Sequence, residues 1–336
     1  MAAVLVVGAT GQLGLEVVER LCAEGRHHVR ALARRPAQAA TLFGTDVEVV
    51  PGDLRDRDSL NAACHGIDVV IATATVVFPR GKDNFRDDEE GGYRNLIAAC
   101  TAAGVRQFIF VSLCVPFEAE FVAASPTYRT KQWIENQLFE SPLAYTILRC
   151  APFMDDYFAL IGSRIPLRGE RAATLDRSAG VARVTRRLFG DSIERFGRAW
   201  VPGSSGHRHA FVALGDVAAH AIAAIDHPDA NRAIFDIAGP QSASWAEIGM
   251  LYSNLLERPV AVHAVPAWVL RGLSLLMRPF SESLSNQLAI LWILAKAETR
   301  VDSAIVAERL RVRRTSAHEY LAAKLRISES VPRAGS

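Results

Sequence analysis

Three glycines at the spacing Gly8-x-x-Gly11-x-x-Gly14 follow directly on the apolar run Val4–Val7. That run is rich in β-branched residues, too short for a helix and stopped by glycine, so it reads as a strand buried on both faces. Behind the glycines, Leu13, Val17, Val18 and Leu21 give the next segment one apolar helical face, and Val29–Ala33 supplies a second strand. In that setting Gly8 permits a tight turn and Gly11 lets backbone N–H groups approach a pyrophosphate. Gly14 lets the helix lie close to the sheet with its positive end toward the phosphates. Gly8, Thr10, Gly11, Gln12, Leu13 and Gly14 are therefore the expected cradle of a dinucleotide. An ordinary strand-turn-helix is the plainer alternative, and the flanking strands and the amphipathic helix argue against it.

The kind of dinucleotide is legible where the second strand ends. A carboxylate there would bond a ribose 2′-hydroxyl, and a cation would take a 2′-phosphate. The residues are Ala33-Arg34-Arg35, with no carboxylate. Arg34 is expected to grip a 2′-phosphate with two parallel hydrogen bonds, helped by Arg35, which points to NADP(H). Two arginines merely decorating a loop are the alternative. Asp53-Leu54, just after the third strand, is placed for an adenine edge, unless Asp53 only caps the helix through Leu60.

Alternating strands and helices supply the frame for these residues. Val47–Val50 reads as the third strand, Asp68–Ala72 as the fourth, Gln107–Ser112 as the fifth and Ala144–Leu148 as the sixth. Helices lie between them, among them Tyr93–Ala103, closed by Gly104, and one around Lys131–Phe139. The rhythm predicts an α/β fold, a doubly wound parallel Rossmann-type sheet over 1–155 with its ligand at the carboxyl ends of the strands. From Ala151 the rhythm breaks. Residues 156–330 read as a smaller, mostly helical substrate-binding region, with 209–237 returning to the Rossmann core. Nine arginines over 162–198 read as a solvated helical surface rather than an anion or membrane patch. Ser244 and Glu247 stand in capping-box spacing. Trp268, Leu270, Leu273, Leu276 and Met277 recur at helical spacing, with Trp292 in a second apolar helix, and read as core, a lid over a greasy substrate being the alternative. Ser328–Ser336 read as a frayed tail.

The chain has 336 residues, half of them hydrophobic, and a formal charge of +2 without basic runs, which argues against a nucleic-acid partner. No cleavable leader precedes the first strand, and the apolar stretch Leu288–Ala295 is far short of the ~20 residues a membrane span needs. The expectation is a cytoplasmic protein with a small-molecule substrate and no membrane span, with weak peripheral membrane contact and a homodimer left open. Cys22, Cys64, Cys100, Cys114 and Cys150 are odd in number and form no C-x-x-C pair, so they read as reduced core thiols, and no metal site is expected.

Gly8-Ala-Thr-Gly-Gln-Leu-Gly14, Val29-Arg-Ala-Leu-Ala-Arg-Arg-Pro36, Gly52-Asp-Leu54, Ala102-Ala-Gly-Val-Arg-Gln-Phe-Ile-Phe-Val-Ser112, Lys131-x-x-x-Glu135 and Tyr145-Thr-Ile-Leu-Arg149 resemble the atypical short-chain dehydrogenase/reductases of the NmrA-like group. Asp216-Val-Ala and Phe235-Asp-Ile-Ala-Gly239-Pro240 fit that group too, so the likeness covers residues 1–265 in outline. It implies a serine and a Tyr-x-x-x-Lys pair as the catalytic set. Ser112 matches the serine and Lys131 the lysine, whereas Thr127 holds the tyrosine's position and Tyr128 comes one residue late. Pro126 suits a helix start that would put Tyr128 on the face of Lys131. In the branch lacking the tyrosine, the lysine acts as proton donor or relay. Burial can bring an ammonium's titration toward neutrality, which a guanidinium does not allow, and the chain uses only four lysines, Lys82, Lys131, Lys296 and Lys324. Thr73, Ala74 and Thr75 are expected on the adenosine side, with Pro152 and Phe153 beside the nicotinamide.

The resemblance implies an NADPH-dependent reductase acting on a carbonyl, enone or benzylic ether of a mainly apolar or aromatic small molecule. The alternative is a non-catalytic NADP(H)-binding sensor, regulator or assembly factor, favoured by the displaced tyrosine and by the apolar helices at 265–297.

Overall fold

The computed structural model describes residues 1–77, 84–114, 117–172 and 190–327. They fall into two compact units. The first comprises Met1–Cys150, Leu214–Ile237 and Asp302–Arg313, the second Ala151–Ala213, Ala238–Val301 and the residues from Arg314 onward.

The first unit is built on strands β1 (Ala3–Val7), β2 (His28–Ala33), β3 (Val47–Pro51), β4 (Val69–Ala72), β5 (Gln107–Leu113), β6 (Tyr145–Cys150) and the strand Ala233–Ile237. They form one seven-stranded sheet in the order β3-β2-β1-β4-β5-β6 and then Ala233–Ile237, parallel throughout. The order reverses between β1 and β4, the switch point at which doubly wound sheets bind ligands. Helices α1 (Gln12–Glu24), α2 (Pro36–Ala40), α3 (Arg57–Cys64), α4 (Gly91–Ala103), α5 (Ala119–Ala124) and α6 (Pro126–Glu140) connect the strands. Both α1 and α4 end at glycines in the left-handed region, Gly25 and Gly104, where a side chain would be strained. Alternate residues of β1, β4 and β5, such as Leu5, Val70 and Phe110, pack with Leu96, Ile134 and Leu138 in one core. The thiols of Cys64, Cys100, Cys114 and Cys150 are buried and free, and Cys22 is half-buried.

Several boundaries differ from expectation. Helix α6 begins at Pro126, five residues before the periodic stretch at Lys131. Near Phe211 the strand is Arg208–Ala210, paired antiparallel with Ser242–Ser244 in the second unit, and the following helix is Leu214–Ala223. The short helix Ala304–Arg309 joins the first unit, with Arg309 Nε 3.5 Å from Asp229.

In the second unit, Phe158, Phe211, Trp245, Ile248, Tyr252, Tyr320 and Leu321 form the core. The helix Trp245–Leu255 starts in the expected Ser244–Glu247 capping box. Of the apolar residues read as core farther on, Leu270 and Trp292 are buried, whereas Trp268, Leu273 and Leu276 are exposed. The helix is apolar on nearly every side, so spacing alone does not reveal which face turns inward. Arg177, Arg183, Arg186 and Arg187 of the arginine-rich stretch, and the tail from Ser328, lie outside the described residues. No described helix is long and apolar enough to cross a membrane.

Candidate nucleotide site and buried lysine

The three glycines carry different constraints. Gly8 has φ +89°, and a Cβ there would lie 2.7 Å from Ala74 N and 2.8 Å from Thr73 Oγ1. The loop after β4 is thus pressed onto the turn after β1. A Cβ on Gly14 would stand 2.2 Å from Gly8 O, because α1 rests directly on that turn. Both positions need glycine for the fold itself. Gly11 is another case. Its φ and ψ, −79° and 170°, suit any residue, and a Cβ would meet only Gly8 O, at 3.1 Å. Its N–H donates to Gly8 O at 2.8 Å. As the N-cap of α1 it has no side chain to accept from the first turn, and that turn holds no acidic residue. The start of the helix therefore has neither a capping side chain nor an acidic residue in its first turn, the arrangement that suits a pyrophosphate. Thr10 borders this turn, and Gln12 and Leu13, in the first turn of α1, are buried.

Arg34 and Arg35 stand exposed at the carboxyl end of β2, Arg35 as the N-cap of α2. Asp53 is gripped by Arg55, with Nη2 2.7 Å from Oδ2 and Nε 3.0 Å from Oδ1. These hydrogen bonds hold its carboxyl below the usual range, and the nearby Arg34 adds to the effect. Asp53 does not cap α3. That role belongs to Asp56, whose side chain accepts from Asp58 N and Ser59 N, so the capping alternative falls. Leu54 packs against Gly92, and its carbonyl accepts from Asn95 Nδ2 at 3.1 Å. Thr73 donates both its N–H and its hydroxyl to Val7 O, at 2.9 and 3.0 Å. Ala74 O accepts from Tyr93 Oη at 2.7 Å, and the Thr75 hydroxyl donates to Glu89 at 3.3 Å.

Lys131, on α6, is 5 % exposed. Its Nζ lies 3.2 Å from Glu89 Oε1 and 4.8 Å from the centre of the Phe110 ring. Glu89 is itself buried and accepts from Val76 N at 2.9 Å, so the pair clasps the loop that follows β4. Next to it, Thr130 Oγ1 donates to Glu90 at 2.9 Å. Burial, reinforced by Glu89, pushes the Tyr93 phenol well above its ordinary range, so it stays a neutral donor. Glu89 escaped sequence reasoning because it lies in the charged run Arg86-Asp-Asp-Glu-Glu90, where nothing marks one acid as buried. The run winds as a π-helix that turns Glu89 inward. The available signal was the lysine: a buried ammonium needs a carboxylate, and Glu89-Glu90 is an acidic pair on a neighbouring element.

Four residues on from Lys131, the buried Glu135 accepts from Ser112 Oγ at 2.6 Å and from Arg149 Nε at 3.1 Å. Ser112 and Arg149 are register partners on β5 and β6, and Arg149 and Asp236 on β6 and the last strand. Ser112 has thus given its one proton to Glu135 and offers a ligand only lone pairs. Tyr128 lies buried in the first turn of α6, behind Ser125 at the N-cap and Pro126. Pro152 and Phe153 belong to the second unit, where Pro152 O accepts from Val212 N at 3.1 Å and Phe153 bridges to Val212.

Residues 8–187 match the family described as NAD(P)H-binding. The chain is 31% identical over 259 residues to the (4-alkanoyl-5-oxo-2,5-dihydrofuran-3-yl)methyl phosphate reductase of Streptomyces griseus, covering 76% of this chain and 75% of that protein. It is 29% identical over 300 residues to a photosystem II assembly factor of Synechocystis, covering 88% and 81% of the two chains. Among solved structures, the NADPH-dependent quinone oxidoreductase of Escherichia coli complexed with NADPH superposes with TM-score 0.70 at 19% identity, over 96% of this chain and 99% of that one. The glycine turn after β1, the Rossmann strand order and the family match over more than half the length agree: the chain belongs to the NAD(P)H-binding family, as an atypical short-chain dehydrogenase/reductase of the NmrA-like type.

Proposed function

We propose that this protein is a cytoplasmic NADPH-dependent reductase whose acceptor is a small, mainly apolar or aromatic carbonyl, enone or benzylic ether. The observation that carries the reading is the Lys131–Glu89 pair, an ammonium and a carboxylate held out of water beside the loop after β4. Burying two charges costs several kcal/mol per ion before their attraction offsets it. A position where only stability mattered would be served as well by apolar side chains. NADPH supplies the hydride when bound. The chain's residues do the rest: Gly11 and the first turn of α1 hold the pyrophosphate, and Arg34 with Arg35 holds the 2′-phosphate. Asp53 and Leu54 meet the adenine edge, with Thr73, Ala74 and Thr75 on the adenosine side. Lys131 faces the nicotinamide ribose and delivers the proton to the acceptor oxygen, directly, through Tyr128 or through water. Ser112 orients the acceptor by turning its hydroxyl from Glu135 to the acceptor oxygen. The Streptomyces griseus relative, named as a reductase, supports the reaction class.

Lys131→Arg tests this assignment. A cation still faces the ribose, so NADPH affinity should stay within a few fold, whereas turnover should fall by about a hundredfold or more, the usual size of a lost general acid. Turnover at the parent rate would refute the lysine's role. Tyr128→Phe with a similar loss would move the acid to the tyrosine.

A second reading, a nucleotide-binding assembly factor that turns nothing over, is favoured by the Ser112 hydroxyl given to Glu135 and by the likeness to the Synechocystis assembly factor. Tight NADPH binding with no acceptor able to oxidise it would support that reading.

A further inference from the structure

The helix Ala267–Met277 has two apolar faces. The inner one holds Leu270 and Ser274 and lies against the helix Glu282–Lys296, where Ser274 Oγ donates to Ser285 O at 2.8 Å. The outer face is open. Trp268 is 77 % exposed, Leu275 51 %, Leu276 58 % and Phe280, just past the helix end, 78 %. At 3.6 residues per turn Trp268, Gly272, Leu275 and Leu276 fall on one side of the cylinder, so they form a single stripe opposite Leu270 and Ser274. Arg271 and Arg278 line one border of it, Arg271 with its guanidinium over the Trp292 ring at 4.7 Å. No acidic residue occurs between Glu257 and Glu282.

The size and charge of the stripe select its partner. Two large aromatics and two leucines expose on the order of 500 Å² of apolar area, near the top of what a monomer leaves open. A standard protein interface buries roughly 800 Å² on each side. A second copy related by a two-fold axis would also set these arginines against a stripe bearing the same arginines and no carboxylate. An anionic bilayer meets both features, taking apolar side chains at the headgroup boundary and arginines at the phosphates. We infer that Trp268, Leu275, Leu276 and Phe280, bordered by Arg271 and Arg278, attach the second unit to an anionic lipid surface, with the helix lying in the interface plane.

Co-flotation of the full-length, NADPH-loaded protein with vesicles tests this. Vesicles of phosphatidylglycerol and phosphatidylcholine in equal parts should carry the protein up at low salt, and phosphatidylcholine alone should not. Arg278→Ala should weaken partitioning about fivefold. Leu276→Glu should weaken it about tenfold or more while keeping the parent's thermal melt and NADPH affinity. If Leu276→Glu melts early, Trp268→Ser, at the most exposed helical position, takes its place. A parent that stays down with the anionic vesicles overturns the inference, as do variants that float like the parent. A parent dimer that Leu276→Glu converts to monomer would assign the stripe to a second copy and overturn it too.

Discussion

Replacing Gly11 by valine separates nucleotide binding from folding, because this glycine alone of the three leaves room for a side chain. Its extended backbone suits a β-branched residue, and the one close contact of the new Cβ is Gly8 O at 3.1 Å. A shift of a few tenths of an ångström relieves it, so the loss of stability should be about 1 kcal/mol or less. The ligand has no such freedom. The side chain would occupy the space in front of the first turn of α1 and push the pyrophosphate away from its N–H donors. Hydrogen bonds to a charged group contribute about 1.5–3 kcal/mol each, so losing two should weaken NADPH binding by roughly two orders of magnitude or more. Fluorescence titration gives the affinity, and a circular dichroism melt confirms the fold. Gly14→Ala is the contrasting control: its Cβ would sit 2.2 Å from Gly8 O, and unfolding should come before any question of binding arises. Parent affinity in Gly11→Val, or a parent-like melt in Gly14→Ala, would refute this account of the turn.

Arg34→Ala should reduce the preference for NADPH over NADH by about tenfold, or ~1.4 kcal/mol, the worth of one charge-assisted phosphate contact; an unchanged ratio in parallel titrations removes Arg34 from that role. Glu89→Gln leaves the Lys131 ammonium buried without its carboxylate and should lower stability by about 3–5 kcal/mol in urea unfolding. Adding Lys131→Met should recover most of that loss, and strictly additive losses would show that the pair is not coupled. Burial pushes the His209 imidazole from 6.5 down to about 4. Below pH 6.5 the unfolded chain binds a proton that the folded one refuses, so this contribution to stability is present above 6.5 and lost as pH falls toward 4. The total is on the order of 3 kcal/mol. His209→Leu should flatten that part of the stability profile, and an unaltered slope would assign it to other groups.

What could be read from sequence was mostly what is local. The turn around Gly8 and Gly14 follows from a strand, a glycine spacing and an amphipathic helix within one stretch of chain, and the structure adds only the atoms that forbid a Cβ. Arg34 and Arg35 were legible because the strand end that exposes them is itself legible. Lys131 rested on a resemblance, and the depth of its burial was not visible. The pairings between distant segments escaped: Glu89 with Lys131, and Ser112 with Glu135 and Arg149, depend on how α6 lies on the sheet. Ala304–Arg309 joins the first unit from far along the chain with no compositional mark. Trp268 and Leu276 were read as core because hydrophobicity on both sides of a helix carries no direction.

In the proposed reaction a bound nicotinamide gives its hydride to a small acceptor under the control of Lys131. Protein loaded with NADPH and mixed anaerobically with a panel of aryl carbonyls, enones and lignan-type ethers reports on it through the near-ultraviolet absorbance of the reduced nicotinamide. At least one acceptor should bleach that absorbance in the parent, and about a hundredfold more slowly in Lys131→Arg. Absorbance that persists with every acceptor, in a protein that binds NADPH tightly, would contradict it.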